Sequence, residues 1–403
     1  MTVRDMLRAA TLDREDVDRF LDESEPNWAR FHPDLGYALQ DCILEDGLNG
    51  AATVQRIEDG HRKLLNYADR PCRINTYGDS FTQCAQVSDG ETWQEVLAAH
   101  LGEPIRNYGV GGYGVYQAYL RMVANEPGPD GTPYVVLNIW GDDHHRSMMA
   151  WRWLACYEWW DESKRQMFHC NPWRHVRIDP ETLQLEERPN LYPTPESLYQ
   201  LCDEEHVYEA FHDDLVTKLL VAQRPDGEVD DLSEAEALGE ALGLGLNWSD
   251  GEGRPGAAKA VWDETAWLAT LRIIEKAKAF LDEQGKELLI LWSYPDVQVI
   301  DACHGRQRGI DAFDWHAEGL RTSVLELGLP AVDTLPAHVD DYHLFSITPE
   351  AYAQRYYIGH YAPLGNHFFA HAIRDELVAW LDPAPLAYRA EGNAIRFDDY
   401  LPG

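Results

Sequence analysis

The feature that most constrains the fold is an alternation, from Arg73 onward, of short apolar runs with apolar residues at helical spacing. The short runs are followed by Gly, Ser or Asp, which is typical of buried strands. The predicted strands end at Tyr77, Tyr108, Trp140, Trp292 and Val332. Repeated strand-helix units predict an α/β fold, a three-layer α/β/α sandwich with a mostly parallel sheet and helices on both faces.

Three helices are predicted by sets of apolar residues that share one face. The sets are Trp93, Val96, Leu97 and Leu101; Trp267, Leu271, Ile274 and Leu281; and Phe369, Ile373, Leu377 and Trp380. Gly285 follows the second set, and glycine commonly ends a helix because it adopts a left-handed conformation without strain.

Two segments break this alternation and divide the chain. Residues 1–70 are predicted to be an N-terminal extension packed on the core, with a hairpin in GAATVQRIEDGHRKLLNY. Residues 146–256 are predicted to be an insertion or lid subdomain above the strand ends, with a hairpin in HVRIDPETLQLEER. The α/β core then comprises residues 71–145 and 257–383, and residues 384–403 form a C-terminal tail. We expect a small core in the insertion, built from Trp151, Trp153, Trp159, Trp160 and Trp173.

Composition excludes several classes of function. The net charge is −35, from 69 acidic and 34 basic residues spread along 403 positions, so the surface should repel nucleic acid. The first thirty residues contain no apolar stretch typical of a signal peptide, and no later stretch reaches the length of a membrane span. Seven cysteines without CxxC spacing argue against a disulfide framework and a structural zinc site. We therefore expect a cytoplasmic enzyme with no membrane partner.

Four blocks fall where strands are predicted to end, which is the edge where α/β folds bind ligands. They are GDSFT (78–82), NYGVGGYG (107–114), WGDDHHR (140–146) and GHYAPLGNHFFA (359–370). Ser80 supplies a hydroxyl, a weak nucleophile, and His360 supplies an imidazole that can take its proton. Backbone N–H groups in the second block can stabilise an oxyanion, each contributing about 3–4 kcal/mol.

In these blocks the chain resembles the SGNH (GDSL-type) hydrolase family, whose members are esterases, lipases, carbohydrate deacetylases and acyltransferases. The resemblance covers residues 72–145 and 287–382, and FHPDLGY with the hairpin before GDSFT is similar to the lead-in of members that act on acylated carbohydrates. It implies a flavodoxin-like fold, with Ser80 as nucleophile, His360 as base and the N–H groups of Ser80 and Gly112 as the oxyanion hole. We expect Asp79 and Gly111 to bind substrate beside them.

Two positions depart from the family pattern. The family's third block reads Gly-x-Asn-Asp, in which Asn donates to the oxyanion, but here Asp143 follows Asp142 at that position. Because an ionised carboxylate only accepts hydrogen bonds, Asp143 must be protonated, turned away or used otherwise. The family's acid lies three residues before its histidine, where this chain has Tyr357, and a phenol stabilises an imidazolium less well than a carboxylate does. We predict Asp143 as a third catalytic residue, with Asp142, His144 and Tyr357 in the substrate site.

Three alternatives stay open. A divalent metal could be bound by Asp143, His144 and His145, with Asp142 nearby, because oxygen and imidazole ligands suit zinc, manganese or iron. In strand geometry, Asp142 and His144 point to one side and Asp143 and His145 to the other, which limits how many can reach one ion. The second alternative uses Asp143 as a base toward water or a substrate amine. The third is a degenerate binding module.

The sequence thus predicts a serine hydrolase or acyltransferase that needs no cofactor. Its expected partner is a small polar molecule that carries an ester or acyl group, such as a sugar derivative or a natural-product intermediate. The oligomeric state is left open.

Overall fold

The structure is a computed structural model that describes residues 1–24, 27–158, 171–249, 253–306 and 314–389. Trp159 and Trp160 of the predicted insertion core, and residues 390–403 of the predicted tail, lie outside the described residues. The strands are β1 (Ala29–His32), β2 (Gly36–Leu39), β3 (Cys42–Leu44), β4 (Thr53–Gln55), β5 (Ile57–Glu58), β6 (His61–Arg62), β7 (Ile74–Tyr77), β8 (Ile105–Asn107), β9 (Tyr134–Trp140), β10 (His175–Ile178), β11 (Leu185–Arg188), β12 (Glu287–Ser293) and β13 (Ala331–Asp333).

The largest sheet joins seven strands in the order β13-β12-β9-β7-β8-β6-β5. β7, β8, β9, β12 and β13 run parallel to one another, and they are the strands predicted from the sequence. If these five strands are renumbered 1 to 5 along the chain, their order in the sheet, starting from β8, is 2-1-3-4-5. The prediction of an α/β fold with a mostly parallel sheet is therefore confirmed.

Helices account for most of the remaining regular structure. They are Val3–Ala10, Arg14–Leu21, Ser80–Gln83, Trp93–Leu101, Val115–Asn125, Asp143–Arg146, Glu204–Phe211, Leu215–Ala222, Ser233–Ala241, Gly253–Asp282, Asp296–Cys303, Glu318–Glu326, Leu335–Tyr342, Pro349–Tyr356 and Pro363–Trp380. Short 3₁₀ turns lie at Leu48–Gly50, Asp89–Glu91, Arg152–Ala155, Pro195–Cys202 and Leu386–Tyr388.

The helices pack in two sets beside the sheet. Helix Trp93–Leu101 packs against Pro363–Trp380, while Val115–Asn125 and Glu318–Glu326 both pack against Gly253–Asp282. β9 and β12 are buried along nearly their whole length, so helices and loops cover both faces of the sheet. The three predicted helices are confirmed, although the one through Trp267 begins much earlier, at Gly253. Gly285 follows that helix with φ +65° and donates its N–H to Asp282, as its predicted cap role requires.

The N-terminal extension forms more hairpins than the sequence predicts. β5 and β6 pair across Asp59 and Gly60, whose positive φ angles suit a two-residue hairpin turn. This hairpin adds to the edge of the sheet through an antiparallel contact of β6 with β8. β4, which was predicted in the same hairpin, pairs with β3 instead, and β1 pairs with β2.

A second hydrophobic cluster joins the N-terminal extension to the start of the insertion. Met6, Leu7 and Phe20 pack in it with three buried tryptophans predicted to be core, Trp151, Trp153 and Trp173. The predicted insertion hairpin is confirmed as β10 paired with β11. The N-terminal extension and the start of the insertion therefore share one core, while later insertion residues such as Val176 and Leu215 pack in the main core.

Two further observations concern membrane spans and cysteines. Within the described ranges, no helix is long and apolar enough to cross a membrane. Six cysteines are described, and all six are free thiols: Cys42, Cys72, Cys84, Cys156, Cys202 and Cys303.

Candidate active site

A cavity of about 640 Å³ lies at the carboxyl ends of β7, β8 and β9. It brings together Ser80, Gly112 and His360, which the sequence predicts as nucleophile, oxyanion hole and base. Seven residues of its wall come from the N-terminal extension: Trp28, Cys42, Leu44, Asp46, Thr53, Gln55 and Arg62. In the described part of residues 146–256, the lining comes only from Arg146 and Arg152, so the extension covers this site more than the insertion does.

Ser80 is presented by a sharp turn between β7 and a short helix. Gly78 has φ +154°, and a Cβ there would lie 2.1 Å from Thr82 Oγ1 and 2.6 Å from the Asn138 carbonyl oxygen, so only glycine fits. Asp79 caps the helix by accepting the N–H of Phe81 at 2.8 Å. Ser80 is the first helical residue, which leaves its N–H without an intrahelical acceptor.

The second predicted oxyanion donor lies in the loop after β8. Val110 donates its N–H to the Gly78 carbonyl, which ties this loop to the Ser80 turn. Gly112 has φ +83° and lines the cavity. Among the described residues, no hydrogen-bond acceptor is found for the N–H of Gly112 or of Ser80.

Gly111 lines the cavity, and hydrogen bonds within the protein hold its peptide in place. Its N–H donates to Gln83 Oε1 at 2.6 Å, and its carbonyl accepts the Tyr37 hydroxyl at 2.7 Å. Both polar groups of the peptide are therefore used within the protein. These bonds hold the loop that carries Gly112.

His360 is oriented by Gln86, a residue that the sequence interpretation did not single out. Gln86 Oε1 accepts two hydrogen bonds of 2.9 Å from His360, one from the backbone N–H and one from Nδ1. An amide oxygen only accepts, so Nδ1 carries the proton and Nε2 keeps its lone pair. Burial and the nearby Arg146 guanidinium lower the pKa of His360 to about 4, which makes the imidazole neutral near pH 7.

The backbone around Gln86 is adapted to this contact. Gln86 itself has φ +69°, a left-handed conformation that is unfavourable for a residue with a side chain. Its Nε2 donates to the Asp46 carbonyl at 2.9 Å, which fixes Oε1 toward His360. Gly359 has φ +106°, and a Cβ there would lie 3.0 Å from Gln86 Oε1. A strained residue and a glycine thus allow one side chain to reach the imidazole.

Tyr357, the residue at the family's acid position, faces away from His360. Its hydroxyl donates to the Tyr294 carbonyl at 3.2 Å and lies 3.3 Å from His338 Nε2 and 3.1 Å from the Tyr361 hydroxyl. Tyr357 is buried and is not among the described residues that line the cavity. Its hydroxyl is therefore used in contacts with protein groups, and its predicted place in the substrate site stays a prediction.

Asp143 anchors a buried arginine. Its Oδ1 accepts from Arg146 Nη1 at 2.8 Å, and its Oδ2 accepts the N–H of Trp140 at 2.9 Å. Burial and the neighbouring Asp79 raise the pKa of Asp143 well above its usual value, although Arg146 opposes this. Asp143 is not among the described residues that line the cavity. Both of its carboxylate oxygens are therefore used in contacts with protein groups.

Arg146 is the centre of the charge cluster and does line the cavity. It forms ion pairs with Asp79, Asp142 and Asp143, and its Nη1 also donates to the Tyr113 carbonyl. The Arg146 side chain is 4% exposed, and no protein atom accepts its Nε–H within the described chain.

Asp79 and Asp142 experience opposite electrostatic effects. Asp79 is fully buried and accepts a long hydrogen bond of 3.3 Å from Ser80 Oγ, and burial raises its pKa despite Arg146. Asp142 is half-buried and lines the cavity. Burial would raise the pKa of Asp142, but Arg146 and Arg152 outweigh it and hold that pKa below the usual value.

The two histidines after Asp143 bind protein groups in different directions. Residues 143–146 form a helical turn, so the strand geometry assumed for them is wrong. His144 Nδ1 lies 2.9 Å from Thr270 Oγ1 and its Nε2 lies 2.8 Å from His316 Nδ1. His145 Nε2 lies 2.9 Å from Asp263 Oδ1. Of the described residues, Asp143, His144 and His145 do not form a group with ligand atoms close enough for one metal ion.

Gln86 and Arg146 are the functional candidates that sequence reasoning missed. Arg146 lies three and four residues after Asp143 and Asp142, which is the spacing of ion pairs on a helix. A helix in the second half of WGDDHHR would have predicted these ion pairs from the sequence. Gln86 had no comparable signal, since it reaches His360 across 274 positions of the chain.

Comparison with known proteins does not place the chain in a family. No protein-family model matches it, and no curated protein matches it. The function is therefore inferred from the cavity and its residues.

Proposed function

We propose that the chain is a serine hydrolase or acyltransferase that forms an acyl-enzyme at Ser80. The observation that carries the proposal is the state of His360, whose Nδ1–H is held by Gln86 while Nε2 remains a proton acceptor in the cavity that contains Ser80. The strand order 2-1-3-4-5 supports it too, because flavodoxin-like three-layer folds share that order and bind ligands at this edge. The proposed architecture is thus the SGNH-like sandwich that the sequence resemblance implies.

The reaction begins with a rotation of the serine side chain. Ser80 Oγ donates to Asp79 in the structure, and no hydrogen bond joins it to His360 in the described chain. When substrate enters, Ser80 turns to His360 Nε2, which takes the hydroxyl proton as Oγ attacks the acyl carbon. Catalytic hydrogen bonds of this kind often form only in the complex with substrate.

Charge then develops on the former carbonyl oxygen. In this mechanism the N–H groups of Ser80 and Gly112 stabilise it, each contributing about 3–4 kcal/mol. His360 returns its proton to the leaving alcohol or amine as the bond to the acyl carbon breaks. Water, or an acceptor hydroxyl, then attacks the Ser80 ester with His360 again as base, which completes hydrolysis or transfer.

Arg146 places a positive charge close to Ser80. Its guanidinium lies 3.4 Å from Asp79 Oδ2, the atom that accepts the Ser80 hydroxyl. It therefore offsets a buried carboxylate next to the nucleophile, which would otherwise repel the oxyanion. Asp143 contributes indirectly, because it holds Arg146 in place.

The cavity supports a small-molecule substrate with one apolar side. Its wall includes five large apolar side chains: Trp28, Leu44, Phe81, Trp140 and Ile358. We assign the acyl or aromatic part of the ester to this wall. The more polar part, such as a sugar, lies toward Asp46 and Asp142, which also line the cavity.

Steady-state hydrolysis of p-nitrophenyl esters of increasing acyl length tests this function. Ser80→Ala is expected to lower kcat/KM by about 10³-fold or more, as for other serine nucleophiles. Ser346→Ala, at an exposed serine, is the matched control and should keep the wild-type rate. Equal rates for Ser80→Ala and wild type would contradict the proposal.

A further inference from the structure

We propose that His100, His367 and His371 bind one borderline divalent transition-metal ion, such as Zn²⁺, on the surface outside the cavity. Within the described residues these three form a group in which one ring nitrogen of each histidine lies within 4.8 Å of one ring nitrogen of each of the others. None of them lines the cavity. The proposal is therefore independent of the function assigned to Ser80.

Two packed helices position the three imidazoles. His367 and His371 are four residues apart on helix Pro363–Trp380, so they share one face, and their ring centroids are 4.6 Å apart. His100 lies in the last turn of helix Trp93–Leu101, with its ring centroid 4.8 Å from that of His371. An ion held by all three would link helix Pro363–Trp380 to helix Trp93–Leu101.

The chemistry of the ligands selects the metal. Imidazole nitrogen suits zinc, copper and nickel, whereas magnesium and calcium prefer oxygen ligands. Bonds from zinc to histidine nitrogen are about 2.0–2.1 Å long, so the nitrogens must move somewhat closer together than they are in the structure. Two of the histidines are exposed and the third is half-buried, which leaves room for that rotation. Three protein ligands also leave a fourth position open to water or another ligand.

One neighbouring side chain competes with a metal ion for His371. Arg374 opposes metal binding, since its Nη1 lies 3.3 Å from His371 Nδ1 and brings a positive charge to the group. The guanidinium must swing away, or His371 must bind through Nε2, when an ion enters.

Calorimetric titration of the full chain, without an affinity tag, with ZnCl₂ alone tests the site. We expect one equivalent of Zn²⁺ to bind to the wild type and that event to be lost in the double variant His367→Ala/His371→Ala. His343→Ala, at an exposed histidine outside the group, is the control and should bind as the wild type does. Arg374→Ala should bind Zn²⁺ more tightly, because a competing donor and a positive charge are removed.

The unfolding temperature and the rate of ester hydrolysis provide two further tests. The double variant should unfold at the wild-type temperature without metal, and Zn²⁺ should raise the unfolding temperature of the wild type but not of the variant. Ester hydrolysis should be the same in the double variant and the wild type, so a failure of the metal proposal is separate from a failure of the proposed function. Wild-type Zn²⁺ binding that survives in the double variant, or no Zn²⁺ binding to the wild type, would overturn the site.

Discussion

The side-chain oxygen of Gln86 accepts two hydrogen bonds from His360, from its backbone N–H and from Nδ1, each 2.9 Å long. Gln86 thus stands where a serine–histidine–acid triad has its carboxylate, but it is neutral. It can orient the imidazole and select its tautomer, yet it adds no negative charge to stabilise an imidazolium. An uncharged orienting group affects both the rate and its dependence on pH.

Loss of the Gln86 side chain should slow catalysis without unfolding the protein. In Gln86→Ala, Nδ1 of His360 loses its acceptor, and we expect kcat to fall by about 10- to 100-fold, part of the usual contribution of a general base. Initial rates of ester hydrolysis measure this fall in kcat. Gln284→Ala is the control, because Gln284 does not line the cavity. A wild-type kcat in Gln86→Ala would mean that the contact does not orient a catalytic base.

The activity of the wild type should persist to unusually low pH. Burial and Arg146 lower the pKa of His360 to about 4, so the imidazole stays unprotonated down to about that pH. The acid limb of kcat/KM, which reports the essential base in the free enzyme, should therefore have its midpoint near 4. A midpoint near 6.5, the usual value for histidine, would contradict the environment assigned to His360.

A carboxylate in place of the Gln86 amide should shift the acid limb of the kcat/KM profile to higher pH. Gln86→Glu puts a negative charge beside Nδ1, which favours the imidazolium and should raise the acid midpoint by about one pH unit or more. The pH profile of kcat/KM is measured for both proteins under the same conditions. An unchanged midpoint would show that residue 86 does not contact the titrating group.

Asp143→Asn should destabilise the protein. Both carboxylate oxygens of Asp143 accept hydrogen bonds, from Arg146 and from the Trp140 N–H, and an asparagine offers only one oxygen. A buried donor then faces an NH₂ group, at a cost of about 1–3 kcal/mol in the free energy of unfolding. Urea unfolding measures the loss, and Asp142→Asn, at a half-buried position, should cost less. Unchanged stability with faster hydrolysis would instead make residue 143 a hydrogen-bond donor to the substrate.

The sequence predicted the scaffold better than the chemistry next to Ser80. The strands ending near Tyr77, Trp140 and Trp292 were predictable, since each is a short apolar run closed by a polar or glycine residue. Ser80 and His360 line one cavity, but it was the family resemblance, not the strand pattern, that singled out His360. The Gln86 contact depends on a left-handed residue, and no local pattern indicates which side chain such a turn will aim at a distant histidine.

Residues 142–146 show a different limit. Continuing β9 through them as a strand misassigned His144, which is fully buried between Thr270 and His316. Helical spacing in the same five residues identifies the ion pairs of Arg146 with Asp142 and Asp143. The type of local structure, rather than the residue types, decided which of these side chains reach the cavity.

The buried His338 should make the fold sensitive to acid. Burial lowers its pKa to about 3, while the unfolded chain has a value near 6.5. Between these values the unfolded state binds a proton that the folded state does not, so stability is full above about pH 6.5 and is lost as the pH falls toward 3. The contribution is at most about 1.4 kcal/mol per pH unit for one group.

His338→Phe removes this titration and should flatten the dependence of stability on pH. The Tyr352 and Tyr361 hydroxyls that contact His338 keep other partners, Asp341 and Tyr357, so the replacement leaves neither of them isolated. Urea unfolding at about pH 7 and about pH 5 gives the slope, and His343→Phe serves as the exposed control. An identical slope in His338→Phe and wild type would show that His338 is not held neutral.

The most direct test of the account is the intact mass of the protein after incubation with a small fluorophosphonate, for the wild type and for Ser80→Ala. We expect a single covalent adduct on the wild type and none on the variant, because Ser80 lines the same cavity as His360 and Gly112, its proposed base and oxyanion donor. An adduct that persists in Ser80→Ala, or a folded wild type that takes up no probe, would contradict an activated nucleophile at Ser80.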